Sequence, residues 1–243
     1  MSPGQTIGVL VVVAAAAAVQ RVSGFGFGLI VVPLMSLFIS PRDAVIIATL
    51  LAMGTTASQA WAERTHADVA VANRLFAGAC LGMPAGLAVF VLVSDSVLRA
   101  TVGAVVIVAA FLLGRGLTLP HASRRDEFVL GAVSGVLNTS VSTNGPPLVF
   151  LLQARGYEPA RFRGTISRVF AYSNAVSLVL FVAAGKVQTG PAVVAAICLP
   201  VVAMAQYAGS RVAHRVQGES FRVLVLSLLY LSGLAAMLAA ATH

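Results

Sequence analysis

Charge is scarce in this sequence. Only 10% of its 243 residues are charged, and just eight are Asp or Glu, while 58% are hydrophobic. So little polar surface cannot cover a globule in water, which excludes a soluble domain and points to a bilayer. Cysteine is nearly absent: Cys80 and Cys198 lie apart in apolar segments without a nearby His, which supports neither a metal site nor a redox pair and leaves both as core packing. The histidines at 66, 121, 214 and 243 fall in loops or at the terminus, so no His/Asp, Ser/His or Cys-based constellation suggests an enzyme. No catalytic residue, cofactor or metal ligand set is expected. Carboxylates are missing from mid-span positions too: Asp43, Glu63, Asp68, Asp95, Asp126, Glu127, Glu158 and Glu219 sit at segment ends or in loops, which leaves a conventional carboxylate proton relay unsupported.

What is present is a series of apolar stretches, near 5–39, 44–62, 71–93, 97–114, 128–154, 164–185, 190–209 and 221–241, joined by short polar loops. The first resembles a signal peptide, but MSPGQT has no basic n-region and the apolar pattern continues, so it reads as part of the mature protein. The net charge of +8 comes from arginines in short loops, which fits topology signalling rather than nucleic-acid binding.

Internal similarity divides the chain into two halves. The run from Ser94 matches that from Gln217; Gly82–Gly86 matches Ala205–Gly209; Ser40 falls against Glu158; and the GFGFG from Gly24 falls against the STNGPP from Ser142. The expected units are 1–118 and 128–243, joined by a cytoplasmic linker, 119–127. If 5–39 and 128–154 each crossed once, Arg and Lys would divide almost evenly between the two sides. If each is a hairpin that leaves where it entered, eleven arginines from Arg64 to Arg222 share one face, and Arg42, Arg99 and Lys186 the other. The positive-inside rule then places both termini outside the cytoplasm and inverts one half relative to the other. Phe128–Thr139 as a helix reaches only about 18 Å, short of a ~30 Å hydrocarbon core, as a re-entrant arm should. The fold class is therefore an all-α integral membrane protein of two inverted-topology repeats, each a re-entrant or broken helical hairpin followed by three transmembrane helices. Whether the longer first arm crosses completely stays open.

Inverted repeats bind substrate near the midplane, where discontinuous helices present unpaired backbone groups. One hairpin tip carries Ser23, Gly24, Gly26 and Gly28, whose glycines permit positive φ and close approach to the backbone. The other runs from Asn138 to Pro147 and supplies Ser140, Ser142, Thr143, Asn144 and Gly145. Two half-helix N-termini converging from opposite sides would hold a small anion without a buried cation. Gln59 and Asn174, polar residues inside spans, are candidate lining groups. Arg168 lies deeper than topology signalling needs, and either snorkels to the interface or contacts the anion; Arg21 is a second intramembrane cation.

SGFGFGLIVVPLMSL in the first half and STNGPPLVFLLQARG in the second, with the duplicated four-segment plan, resemble the TauE/SafE family of sulfite and organosulfonate exporters over essentially the whole chain. The family pattern is carried by Gly24, Gly26, Gly28 and Pro33, then by Asn144, Gly145 and Pro146; Phe25, Phe27 and Thr143-Asn144 depart from it. The resemblance implies export of sulfite, sulfoacetate or a related sulfonate from a bacterial cell across its inner membrane. The alternatives are an anion channel or uniporter for another oxyanion or carboxylate, and a non-transport assembly factor. Expected partners are the small anion and the lipid bilayer, with a homodimer allowed and nucleic acid excluded.

Overall fold

The computed structural model describes residues 3–115, 123–212 and 219–241, and every regular element among them is an α-helix. Linker residues 119–122, Arg215, His121, His214 and His243 lie outside the described residues. The helices are α1 (Pro3–Ser23), α2 (Phe27–Met35), α3 (Pro41–Ala62), α4 (Val69–Leu92), α5 (Asp95–Arg115), α6 (Arg124–Val141), α7 (Gly145–Ala154), α8 (Pro159–Ala183), α9 (Thr189–Val212) and α10 (Glu219–Ala241). Six of them, α1, α3, α4, α5, α8 and α9, are long and apolar enough to cross a membrane. The chain is an all-α integral membrane protein, as its composition predicts.

Local sequence sets the boundaries. Ser40 caps α3 by accepting from the Asp43 N–H and is followed by Pro41; Asp68 caps α4 through the Val71 N–H; Glu158 precedes Pro159 at the start of α8. Ser123 and Asp126 form a reciprocal capping box. That box starts α6 at Arg124, four residues before the apolar run, so the arm measures about 27 Å by helical rise rather than the 18 Å expected. At 21 residues, or about 31 Å, α1 is long enough to cross. Its partner α2 and the corresponding α7, with 9 and 10 residues, reach only about half the core.

The exterior is apolar, and the interior combines an apolar core with a set of buried polar groups. Leu81, Leu92 and Met204 are 72–80% exposed, whereas Thr49, Thr56, Gln59, Ser134, Asn138, Thr139, Ser173, Asn174 and Ser177 are buried. Lipid solvates the outer apolar faces, so hydrophobic burial contributes little between helices, and close backbone packing takes its place. α4 packs on α6, α1 on α9, α3 on α8, and α5 on α10. Gly78, Gly82 and Gly86 on α4 face α6 so closely that an added Cβ would lie 2.4, 2.0 and 2.2 Å from the Phe128, Ala132 and Val136 carbonyl oxygens. Gly131 and Gly135 return the contact at 2.3 and 2.0 Å from the Leu75 and Ala79 oxygens.

Among the described residues, ionic contacts are confined to the two ends. At one, buried Glu127 is held by Arg74 and Arg155, which ties the start of α6 to the end of α7 and to α4. Beside it Asp68 accepts from Tyr157 at 2.7 Å and Arg161 at 2.6 Å, and Arg163 approaches Glu63 at 3.4 Å. Burial, the largest single influence, works to raise the Asp68 carboxyl, but the bonds from Tyr157, the Val71 N–H and Arg161 together hold it below the usual carboxylate range. At the opposite end Arg42 pairs with Asp95, Gln5 donates to the Phe38 carbonyl at 3.1 Å, and Ser96 donates to the Ala240 carbonyl at 2.9 Å. The start of α1, the turn after α2 and the end of α10 therefore share the end opposite Arg74, Arg155, Arg161 and Arg163.

Gly82→Leu is expected to lower the thermal unfolding midpoint in detergent, at a cost of about 3 kcal/mol, by forcing α4 off α6. Gly54→Ala, where a Cβ meets nothing, should leave it unchanged or slightly raised.

Candidate functional site

Both hairpins break where the backbone turns left-handed. Gly24 and Gly26 have φ of +82° and +96°, which glycine adopts without steric cost, and Gly26 is the N-cap of α2. At the other tip Ser142 is the C-cap of α6 at φ +51°, the one described non-glycine residue with positive φ. A side-chain-bearing residue persists there only when its surroundings hold it. Its N–H donates to the Asn138 carbonyl, the Thr143 N–H to the Leu137 carbonyl, and the Ser142 hydroxyl lies 3.1 Å from that of Thr49 on α3.

The two tips touch. A Cβ on Gly28 would lie 1.9 Å from the Ser142 carbonyl oxygen, and one on Gly145 would lie 3.6 Å from the Phe25 ring and 4.0 Å from the Phe25 Cβ. Between them is a cavity of about 20 Å³, enough for a single water. Tip one contributes Gly26, Phe27, Gly28 and Leu29; tip two contributes Ser142, Thr143, Asn144 and Gly145. Gln20 of α1, Ala52 and Thr56 of α3, and Phe170 and Asn174 of α8 complete the wall.

Seven of the residues singled out from sequence, Gly26, Gly28, Ser142, Thr143, Asn144, Gly145 and Asn174, therefore line one cavity. The other five do not. Ser23 donates to the Val19 and Phe25 carbonyls and shapes the turn; Ser140 bonds back to the Val136 carbonyl within α6. Gly24 packs on the Arg163 side chain. Gln59 donates at 3.5 Å to the Gln20 carbonyl just behind the wall. Arg168 places its guanidinium 5.5 Å from the centre of the Tyr172 ring. Sequence reasoning missed Gln20, Phe27, Leu29, Ala52 and Phe170 as lining, whereas Thr56, a polar residue inside a span, was readable as a lining group. Gln20 had a readable signal, an amide after eleven apolar residues, since its burial is costly unless paired. It accepts from the Gln206 amide at 3.3 Å, linking α1 to α9.

The wall combines hydrogen-bonding groups with the apolar Phe27, Leu29, Ala52 and Phe170, and contains no ionisable side chain. The first turns of α2 and α7 leave backbone N–H groups without an intrahelical acceptor. On α2 these belong to Phe27, Gly28 and Leu29; on α7 to Asn144 and Gly145, because Pro146 and Pro147 have none. Asn144, 8% exposed, has an unpartnered Nδ2 among the described residues. Asn174 Nδ2 donates to Thr56 Oγ1 at 3.3 Å, bridging α8 to α3. Such donors can receive an anion's oxygen atoms.

Two broken helices meeting at a small, partly polar cavity inside an apolar bundle place the chain among polytopic membrane transport proteins. More specifically, the sequence model of the family described as sulfite exporter TauE/SafE matches residues 9–236, and the chain belongs to that family. It is also 30% identical over 204 residues to the probable sulfite/organosulfonate exporter TauE of Cupriavidus necator, covering 79% of this chain and 78% of that protein. No solved structure gives a significant match. Membership makes the chain a membrane transporter rather than an enzyme.

Gly28→Ala is expected to destabilise the closed tips by about 1–3 kcal/mol, read as a lower thermal midpoint. Gly145→Ala, whose Cβ would meet only ordinary contacts from 3.6 Å, should shift it far less.

Proposed function

We propose that this chain exports a small anion, sulfite or an organosulfonate, and binds it between the two hairpin tips. The observation that carries the reading is the donor set: N–H groups from the starts of two half-helices and the unpartnered Asn144 amide face one cavity with no ionised side chain in its wall. The name of the Cupriavidus relative, a probable sulfite/organosulfonate exporter, supports the substrate class. The arginine-rich end is cytoplasmic by the positive-inside rule, which puts both termini on the periplasmic side of a bacterial inner membrane.

On this reading 1–118 and 128–243 are inverted repeats. Helix pairing supports it: exchanging α1–α5 for α6–α10 turns the α4–α6 contact into α9–α1 and returns the α3–α8 and α5–α10 contacts to themselves. The tip cavity has room for one water and none for a four-atom oxyanion, so anion passage requires the tips to part. That requirement favours alternating access over a channel with a standing pore. An inside-negative potential drives a monovalent anion outward by about 2.3 kcal/mol per 100 mV, enough without a coupling ion.

Asn144→Ala in proteoliposomes should reduce sulfite flux at least about tenfold, the loss of about one charged hydrogen bond, with the protein still folded by size exclusion. Unchanged flux would remove the site. A reporter fused after His243 should be active only on the periplasmic side; cytoplasmic activity would sink the inverted arrangement.

A further inference from the structure

We infer that the tip cavity selects singly charged oxyanions and rejects doubly charged ones. This rests on the reading of the cavity as the anion site and adds a charge rule to it. For sulfite the bound form is then hydrogen sulfite; among sulfonates, those with one acid group are carried and those with a second are not, which removes sulfoacetate from the substrates that the family resemblance implies.

The inference follows from what the wall contains. Charged side chains on the helices that build the cavity are Arg21 on α1, Arg42 and Asp43 on α3, Arg124, Arg125, Asp126 and Glu127 on α6, and Arg161, Arg163 and Arg168 on α8. None of them lines it. Arg163 approaches Glu63, Arg168 lies over Tyr172, Glu127 is held by Arg74 and Arg155, and the Arg21 side chain lies against Gly209. Compensation for an anion must come from helix dipoles and neutral donors. Each helix N-terminus acts as about +0.5 of an elementary charge, so α2 and α7 together offset about one negative charge.

Scaling decides between the two valences. The cost of taking an ion out of water grows with the square of its charge, whereas its attraction to fixed dipoles grows only linearly. A wall that balances one charge therefore falls short for two. Proline deepens the shortfall, because Pro146 and Pro147 remove two of the N–H groups the start of α7 would otherwise present. A full cation in the wall would have reversed this preference. Asn144 Nδ2, buried and unpartnered, supplies a further neutral donor rather than a charge.

The test is equilibrium binding of labelled methanesulfonate, a monoanion at every working pH, to the full chain in nanodiscs. Unlabelled sulfite, sulfate and ethanedisulfonate serve as competitors. Relative to methanesulfonate at the same pH, sulfite should lose about tenfold in apparent affinity for each pH unit above its second proton dissociation, following the hydrogen sulfite fraction. Sulfate and ethanedisulfonate should compete at least about tenfold more weakly than methanesulfonate. A sulfite affinity that stays level or rises with pH, or a dianion that matches or exceeds methanesulfonate, overturns the charge rule. The underlying site is judged separately by Asn144→Leu: undiminished methanesulfonate binding in that variant, or no anion bound by the native chain, refutes the site itself.

Discussion

A helix that stops inside a bilayer leaves backbone donors or acceptors that lipid cannot satisfy, and the rest of this structure depends on how that is met. α2 and α7 both begin at interior depth after a break. Each break is shielded by the other, with Gly28 set against the Ser142 carbonyl, and the pair is enclosed by the polar faces of α3 and α8. Polar groups flank the breaks: Thr49 meets the Ser142 hydroxyl, and Asn174 bonds to Thr56 beside the tips. The groups that make the break tolerable are those able to bind an anion.

Stability is drawn from elsewhere. Glycine-mediated contact joins α4 to α6, and the ion pairs stay at the bundle ends, where Glu127 holds the two arms of hairpin two together. No ion pair among the described residues crosses the middle, so the tips can rearrange without separating one in low dielectric. The tips are joined to each other by contact at glycine and to the bundle by neutral hydrogen bonds, which are individually modest.

Much of this was legible in the sequence because lipid leaves few options. Long apolar stretches became helices, and the two stretches too long or too interrupted for one helix broke at Gly24–Gly26 and Ser142–Asn144, where glycine, hydroxyl and proline signals cluster. Depth and facing were harder to read. Ser140 and Ser142 are two residues apart, yet one bonds back to its own helix and the other meets Thr49, a difference fixed by rotation about α6. Arg168 could be placed at interior depth but not against Tyr172, since its aromatic neighbour one turn on competes with any ligand for the guanidinium. The start of α6 was missed because charged residues mask a helix whose capping box, not its hydropathy, announces it.

The central claim is that the tips must part for the anion to pass. A Cβ on Gly145 stands 4.0 Å from that of Phe25, within the span of a disulfide. The direct measurement is flux through the Phe25→Cys, Gly145→Cys chain, with Cys80 and Cys198 replaced by Ala, before and after oxidation. Flux that stops on oxidation and returns with reductant is the expected result. Undiminished flux through tips shown to be cross-linked would contradict the account.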